Sequence, residues 1–243
     1  MRAYHLESPP LDVPAQMALD EAVLDHAGPD CAYLRLYRWA RGGLEGATFG
    51  YSQAYSQALA RVRVAAGGAG LPLIRRLTGG GFVLHDGDIT FSFVFPWPRL
   101  FAPSLIYKNI HLAVHVGLKA HGITTRLWSP PRPGAGEGVP GGPPRVAQDC
   151  FSAPVPLDLV RGDGSKLLGG ALRRRRGVGL YQGSLRPEGL DAPPDKLRRA
   201  VAEGLALQWR VVFLPQAPGA AVAAAAQRLR LERYATDDWN QRR

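Results

Sequence analysis

The chain has 243 residues, 46% of them hydrophobic, enough for one large domain with a buried core, and no apolar run reaches the roughly 18 residues of a membrane span. Its formal charge of +10 at pH 7 favours an acidic partner, but no helix-turn-helix, zinc-finger or aromatic RNA-binding pattern accompanies that charge, which argues against nucleic acid. Two distant cysteines form no disulfide framework, metal-ligand spacing is absent, and the opening Met1-Arg2-Ala3-Tyr4-His5-Leu6 lacks a secretory pattern. A soluble protein of the reducing cytoplasm is expected.

In chain order, residues 14–27 place Met17, Val23 and Leu24 at helical spacing with Ala18, Leu19 and Ala22 between them. Pro14 suits a first turn and Gly28-Pro29 a stop. Asp20 and Glu21 are expected to face solvent or a neighbouring loop. Residues 32–39 alternate Tyr33, Arg35 and Tyr37 against Leu34, Leu36 and Arg38, as in a strand with one wet face, and Cys31 reads as a core or edge residue. A second strand is expected at 47–53, a short helix at 54–66 closed by Gly67-Gly68, and a returning strand at 71–76.

Next comes Arg75-Arg76-Leu77-Thr78-Gly79-Gly80-Gly81, followed by His85-Asp86 and a strand at 89–95. Three glycines between apolar strands let backbone approach a ligand closely, with N–H groups available to an anion. The neighbouring arginines suit a phosphate or a carboxylate, and His85 reads as a loop-orienting residue before it reads as a base. Residues 105–121 put Ile106, Ile110, Ala113, Val114, Gly117 and Leu118 on one helical face, with His111 and His115 expected on the surface. The stretch 129–148 is dense in Pro and Gly and reads as a mobile loop leading to Cys150. Beyond it, a helix is expected at 196–204, a strand through 211–213 and an Ala-rich helix at 219–233.

The most informative stretch joins Cys150-Phe151-Ser152-Ala153-Pro154 to Lys166-Leu167-Leu168-Gly169-Gly170-Ala171 and Gln182-Gly183-Ser184-Leu185. Gly162-Asp163-Gly164 between two Val/Leu-rich segments reads as a hairpin that brings its flanks together, so Cys150 and Lys166 can meet. An ammonium beside a thiol favours the thiolate, the attacking species in acyl transfer. Of 30 Lys plus Arg, only Lys108, Lys119, Lys166 and Lys196 are lysines, so a lysine before paired glycines suggests a compact point charge.

Together these stretches, with Met17-Ala18-Leu19-Asp20-Glu21 and Tyr234-Ala235-Thr236-Asp237-Asp238-Trp239-Asn240, resemble the biotin/lipoate protein ligase family, in its lipoate-protein ligase and octanoyltransferase branch. The resemblance implies one α/β (α+β) catalytic domain over 1–243, with a mixed, mostly antiparallel sheet flanked by helices and an acyl tunnel beside the glycine-rich loop. It implies a cysteine octanoyltransferase: Cys150 accepts an octanoyl group from acyl carrier protein, Lys166 stabilises the thiolate and polarises the carbonyl, and the group passes to a lysine of a lipoyl domain, on a 2-oxoacid dehydrogenase or the glycine cleavage H protein. Substrate-binding residues are then Arg76, Thr78, Gly79, Gly80, Gly81, His85, Gly169, Ala171 and Gly183, with no metal or cofactor, and the enzyme a monomer. The alternative is an ATP- and Mg²⁺-dependent lipoate-protein ligase working through lipoyl-AMP, in which Arg76 and the glycines hold phosphate and Cys150 is incidental; a third is a non-catalytic lipoyl-binding module.

Overall fold

The structure, a computed structural model, describes residues 1–65, 70–130, 151 and 153–242. The Pro/Gly-rich stretch from 131 onward, Cys150 and the Gly67-Gly68 stop lie outside the described residues.

The first half of the chain runs β1 (Arg2–Leu6), α1 (Val13–His26), β2 (Cys31–Leu36), β3 (Leu44–Phe49), α2 (Tyr55–Ala65), β4 (Leu73–Arg75), β5 (Val83–Asp86), β6 (Ile89–Pro96), α3 (Pro103–Ala120) and β7 (Arg126–Leu127). The second half adds β8 (Leu159–Val160), β9 (Lys166–Arg175), β10 (Val178–Leu185), α4 (Pro194–Trp209), β11 (Leu214–Gln216), α5 (Ala220–Leu229), a π-helical turn at Arg230–Tyr234 and α6 (Asp237–Asn240). Among the described residues the strands form a sheet ordered β11-β1-β2-β6-β10-β9-β8-β7 and a smaller one ordered β4-β3-β5. In the large sheet β1 runs parallel to β2 and β11, and the other pairings are antiparallel. This is the mixed, mostly antiparallel sheet that the sequence led us to expect.

Helices cover both faces of the large sheet. On one face, Ile110, Ala113 and Val114 of α3 and Ala200, Val201 and Leu205 of α4 pack with Phe91, Phe93 and Phe95 of β6. On the other, Leu19, Val23 and Leu24 of α1 meet Val94 and Leu180, with Val222 and Ala226 of α5 behind them. A central strand between two helical layers has no wet face. The alternation expected in β2 is therefore not a split between core and solvent: Arg35 is buried.

Two further expectations are corrected by the same layering. Asp20 and Glu21 do not face solvent, because α1 is enclosed between the sheet and the C-terminal helices, and ten of its 14 residues are buried. Glu21 accepts from Arg233 Nη1 at 2.5 Å and Tyr234 OH at 2.8 Å, both near the C-terminus. The strand expected at 211–213 lies one step later, at Leu214–Gln216. There α4 runs on to Trp209, stops at the left-handed Arg210, and turns Val211 and Phe213 onto the core beneath α3 and α4.

Candidate active site

Beta strands 9 and 10 build the floor of a cavity. Their register sets Gly169 against Ser184, Gly170 against Gly183, and Ala171 against Gln182. Gly169, Gly170, Ala171 and Gly183 all line the cavity, and the space that Gly170 and Gly183 leave on their side-chain side is taken by the Tyr181 ring. Arg76, Thr48 and His85 close it from the small sheet, and Phe151 closes it from the side.

Lys166 lies beside this floor. Its chain folds back over Gly169 so tightly that a Cβ there would stand 2.3 Å from Cε and 2.6 Å from Nζ, a contact only glycine permits. Lys166 is 9% exposed, and its Nζ lies 2.8 Å from Oδ2 of Asp158, which is fully buried. Asp158 also accepts from Tyr107 OH at 2.6 Å and from the Val155 backbone N–H at 2.8 Å. Removing one partner of such a pair leaves an uncompensated buried charge, at a cost of about 3–5 kcal/mol. The expected hairpin creates the pair: β8 and β9 are antiparallel, with Val160 opposite Lys166, which brings the acid ahead of β8 to the lysine opening β9. The Phe151 ring sits under two cations, 5.5 Å from Lys166 Nζ and 4.7 Å from the Arg186 guanidinium carbon.

His111 is part of this corner, which corrects its expected surface position. It is fully buried on α3, its ring stacked on Tyr107 at 4.0 Å and its Nε2 2.8 Å from Tyr181 OH. Burial and the Lys166 charge push its pKa down to about 3, against the opposing pull of the Leu157 carbonyl, so it is neutral. Burial, Tyr181 and Asp158 push the Tyr107 hydroxyl well up, so it stays a donor to Asp158. His115 is half-buried and bonded to Thr125. Among the described residues no group of three or more His, Cys, Asp or Glu is placed to hold a metal ion.

The glycine-rich loop faces the floor from the opposite side. Arg76 is buried, its Nη1 donating to Thr48 Oγ1 at 2.8 Å and its Nη2 to the carbonyls of Gly79 and Gly81 at 2.9 and 2.8 Å. Arg76 therefore shapes the loop from within. Arg75 instead ties down the C-terminus, donating to the carbonyls of Trp239, Asn240 and Arg242. Thr78 donates to Gln182 Oε1 at 2.6 Å, and Gln182 Nε2 donates to Asp20 Oδ2 at 2.7 Å, so α1 sets the height of the loop above the floor.

Of the residues singled out from sequence, Arg76, His85, Gly169, Ala171 and Gly183 line one cavity. Thr78 touches it through Gln182, the Gly79 and Gly81 carbonyls hold its loop, and Lys166 stands at its edge beside Gly169. Cys150 lies outside the described residues, but its chain neighbour Phe151 is a lining residue. Sequence reasoning did not pick out Asp158 as the partner of Lys166, nor Tyr107, Thr48 or Asp88. Asp158 was signalled, since it is the acid ahead of the hairpin that ends on the lysine.

The model of the lipoyl protein ligase A/B catalytic domain matches residues 12–201, a span that includes the whole cavity. The chain belongs to that family. A lipoyl ligase A/B relative from Macrococcus caseolyticus, named octanoyltransferase LipM, is 34% identical over 174 residues, which are 70% of this chain and 60% of that relative. The chain thus spans less than two thirds of that relative. Over nearly full length, the octanoyltransferase LipM of Kyrpidia tusciae is 30% identical across 268 residues, 93% of this chain and 94% of the relative. In fold, the chain is similar to protein Ta0514 of T. acidophilum, a putative lipoate protein ligase with bound lipoic acid, at TM-score 0.77 and 23% identity over 99% of both chains. Among the described residues no helix is long and apolar enough to cross a membrane.

Proposed function

We propose that this chain is an octanoyltransferase of protein lipoylation, acting through a thioester on Cys150, with residues 1–243 as one catalytic domain. The observation that carries the reading is the Lys166–Asp158 pair, held at the edge of a glycine-floored cavity that Phe151, next to Cys150 in the chain, also lines. Similarity to relatives named octanoyltransferase LipM supports the same chemistry. Cys150 attacks the octanoyl thioester of acyl carrier protein, and the carrier thiolate leaves. The Lys166 ammonium, buried and paired with Asp158, favours the Cys150 thiolate and stabilises charge on the carbonyl oxygen. An amine of a lipoyl domain then takes the acyl group. The net charge of +10 speeds the encounter with acidic carrier and lipoyl domains. No ATP enters this sequence.

The test is intact-mass measurement of the chain mixed with octanoyl-carrier protein without ATP, beside a second mixture with lipoate, ATP, Mg²⁺ and a lipoyl domain. An octanoyl adduct on Cys150 in the first mixture is expected. Acceptor modification in the second mixture alone identifies an ATP-dependent ligase, and modification in neither identifies a binding module.

A further inference from the structure

The wall of the cavity also carries a second polar assembly that the reading above leaves without work. His85, 2% exposed on β5, has Nε2 2.9 Å from Thr48 Oγ1 on β3 and Nδ1 3.2 Å from Asp88 Oδ2 in the turn before β6. Asp88 also accepts from Thr90 Oγ1 and Ser184 Oγ, each at 2.6 Å. Burial pushes the Asp88 carboxyl up, but the His85 ring and the two hydroxyls outweigh it and leave it below its ordinary value. The ring lies against Trp39 at a tilt of 39°, the centroids 4.7 Å apart.

The donors fix the direction of these bonds. Asp88, which already accepts from two hydroxyls, is an acceptor toward His85 Nδ1, and Thr48 Oγ1, which accepts from the donor-only Arg76, turns its own proton to Nε2 of the neutral ring. Nε2 is then an acceptor, and the ring proton lies on Nδ1, toward Asp88. A hydroxyl, an imidazole and a carboxylate are thus lined up in the order that moves a proton away from the hydroxyl. Thr48 and His85 both line the cavity.

The proposed reaction needs such an acceptor. A lysine amine that attacks a thioester must shed a proton as the amide forms, and Lys166 is engaged with Asp158. We propose that Thr48, His85 and Asp88 form a proton relay that receives the proton of the acceptor amine during transfer from Cys150, an inference that rests on the thioester reading. The amine lone pair forms the C–N bond, and the C–S bond breaks with its electron pair going to Sγ. The N–H proton passes to Thr48 Oγ1 while the Thr48 proton passes to His85 Nε2. In the next cycle the imidazolium returns this proton to the departing carrier thiolate, so no proton is gained or lost by the enzyme. The competing role is structural, since the same bonds join the small sheet to β6 and β10.

The test uses the full chain charged with octanoyl-carrier protein, followed by a single turnover with lipoyl-domain acceptor across a pH series. His85→Gln and Thr48→Val are expected to form the Cys150 adduct and to discharge it about 100-fold more slowly. Thr48→Ser is expected to recover most of the rate lost in Thr48→Val. The wild-type discharge rate should rise with pH through one titration, which His85→Gln abolishes. The groups bearing on that titration are Asp88, Arg76 through Thr48, and Arg198 of α4, whose charge acts on Asp88. Discharge within about threefold of wild type in Thr48→Val, with an unchanged pH profile, overturns the relay. Thr48→Val, near-isosteric, decides the matter if His85→Gln does not fold. Absence of any adduct on wild-type Cys150 overturns the thioester reading instead, a different result.

Discussion

Two buried cation–aspartate pairs lie in this molecule, Arg35–Asp20 beneath α1 and Lys166–Asp158 at the cavity edge, and they are built to opposite ends. Arg35 is closed off: its guanidinium reaches Asp20 and also donates to Gln16 Oε1 at 2.6 Å, while Asp20 accepts further from Tyr37, Ser92 and Gln182. Every bond points inward, and the fork of an arginine is shaped for that. Among the described residues Lys166 has Asp158 as its ion-pair partner, and an ammonium carries three donors. It stands over a glycine at the mouth of a cavity. Burial thus serves rigidity in one place and holds a cation beside a cavity in the other.

The largest expected effects fall on the open pair. Cys150→Ala should remove the acyl adduct and lower octanoyl transfer on the order of a thousandfold or more, with the unfolding midpoint unchanged. Full transfer by that variant would reject covalent catalysis. Lys166→Arg keeps the charge but must fit a longer, planar head over Gly169, and we expect about a hundredfold loss of turnover with stability nearly intact. Near-normal turnover would make Lys166 a bystander. Arg35→Lys should do the reverse, leaving Gln16 Oε1 without its donor and costing about 1–3 kcal/mol in urea unfolding, with transfer by the folded fraction retained. If both conservative swaps acted alike, the contrast between the pairs would fail. Asp158→Asn lies between the two, because it strands Lys166 in the interior. We expect about 3–5 kcal/mol of lost stability, and an unchanged melting temperature would show that the ammonium is solvated.

What could be read from the sequence follows the range of the interaction. The buried face of α3, from Ile106 to Leu118, and the hairpin that opens with Lys166 were legible because both depend on spacing within one segment. Gly169 and Gly183 were legible as substrate-binding positions through the family resemblance, and with Gly170 they line the cavity. Asp20 was not legible as buried, because the cation that pairs with it, Arg35, and the amide that donates to it, Gln182, lie 15 and 162 positions away. A periodicity argument sends an acid in a helix to solvent unless a distant cation is known. His111 failed for the same reason, since its burial depends on Tyr181, 70 positions downstream, and on the apolar layer of α4. His85 and Asp88 meet within three residues, but Thr48 joins them through the pairing of β3 with β5, whose register, with its shift between Leu44 and Gly46, no local pattern specifies.

The smallest effect sharpens the comparison by titration. His111 shares the interior with Lys166, and its folded pKa of about 3 lies below the ordinary imidazole value of 6.5. The folded state therefore binds fewer protons than the unfolded chain between these values. Its contribution to stability is complete above pH 6.5 and declines as the pH falls toward about 3, by up to about 1.4 kcal/mol per pH unit. His5 and His115, each also shifted down mainly by burial, act in the same direction from more exposed positions. The contribution of Asp88, with its depressed pKa, is lost only below the ordinary carboxylate value of 3.8, so the window from pH 6.5 to about 4 isolates the histidines. His111→Gln should flatten urea-unfolding free energy across that window, while at pH 8 it changes little beyond the loss of packing on Tyr107. A slope as steep in His111→Gln as in the parent chain would mean that water reaches the Lys166 corner, and with it that the two buried pairs differ less in solvation than in shape.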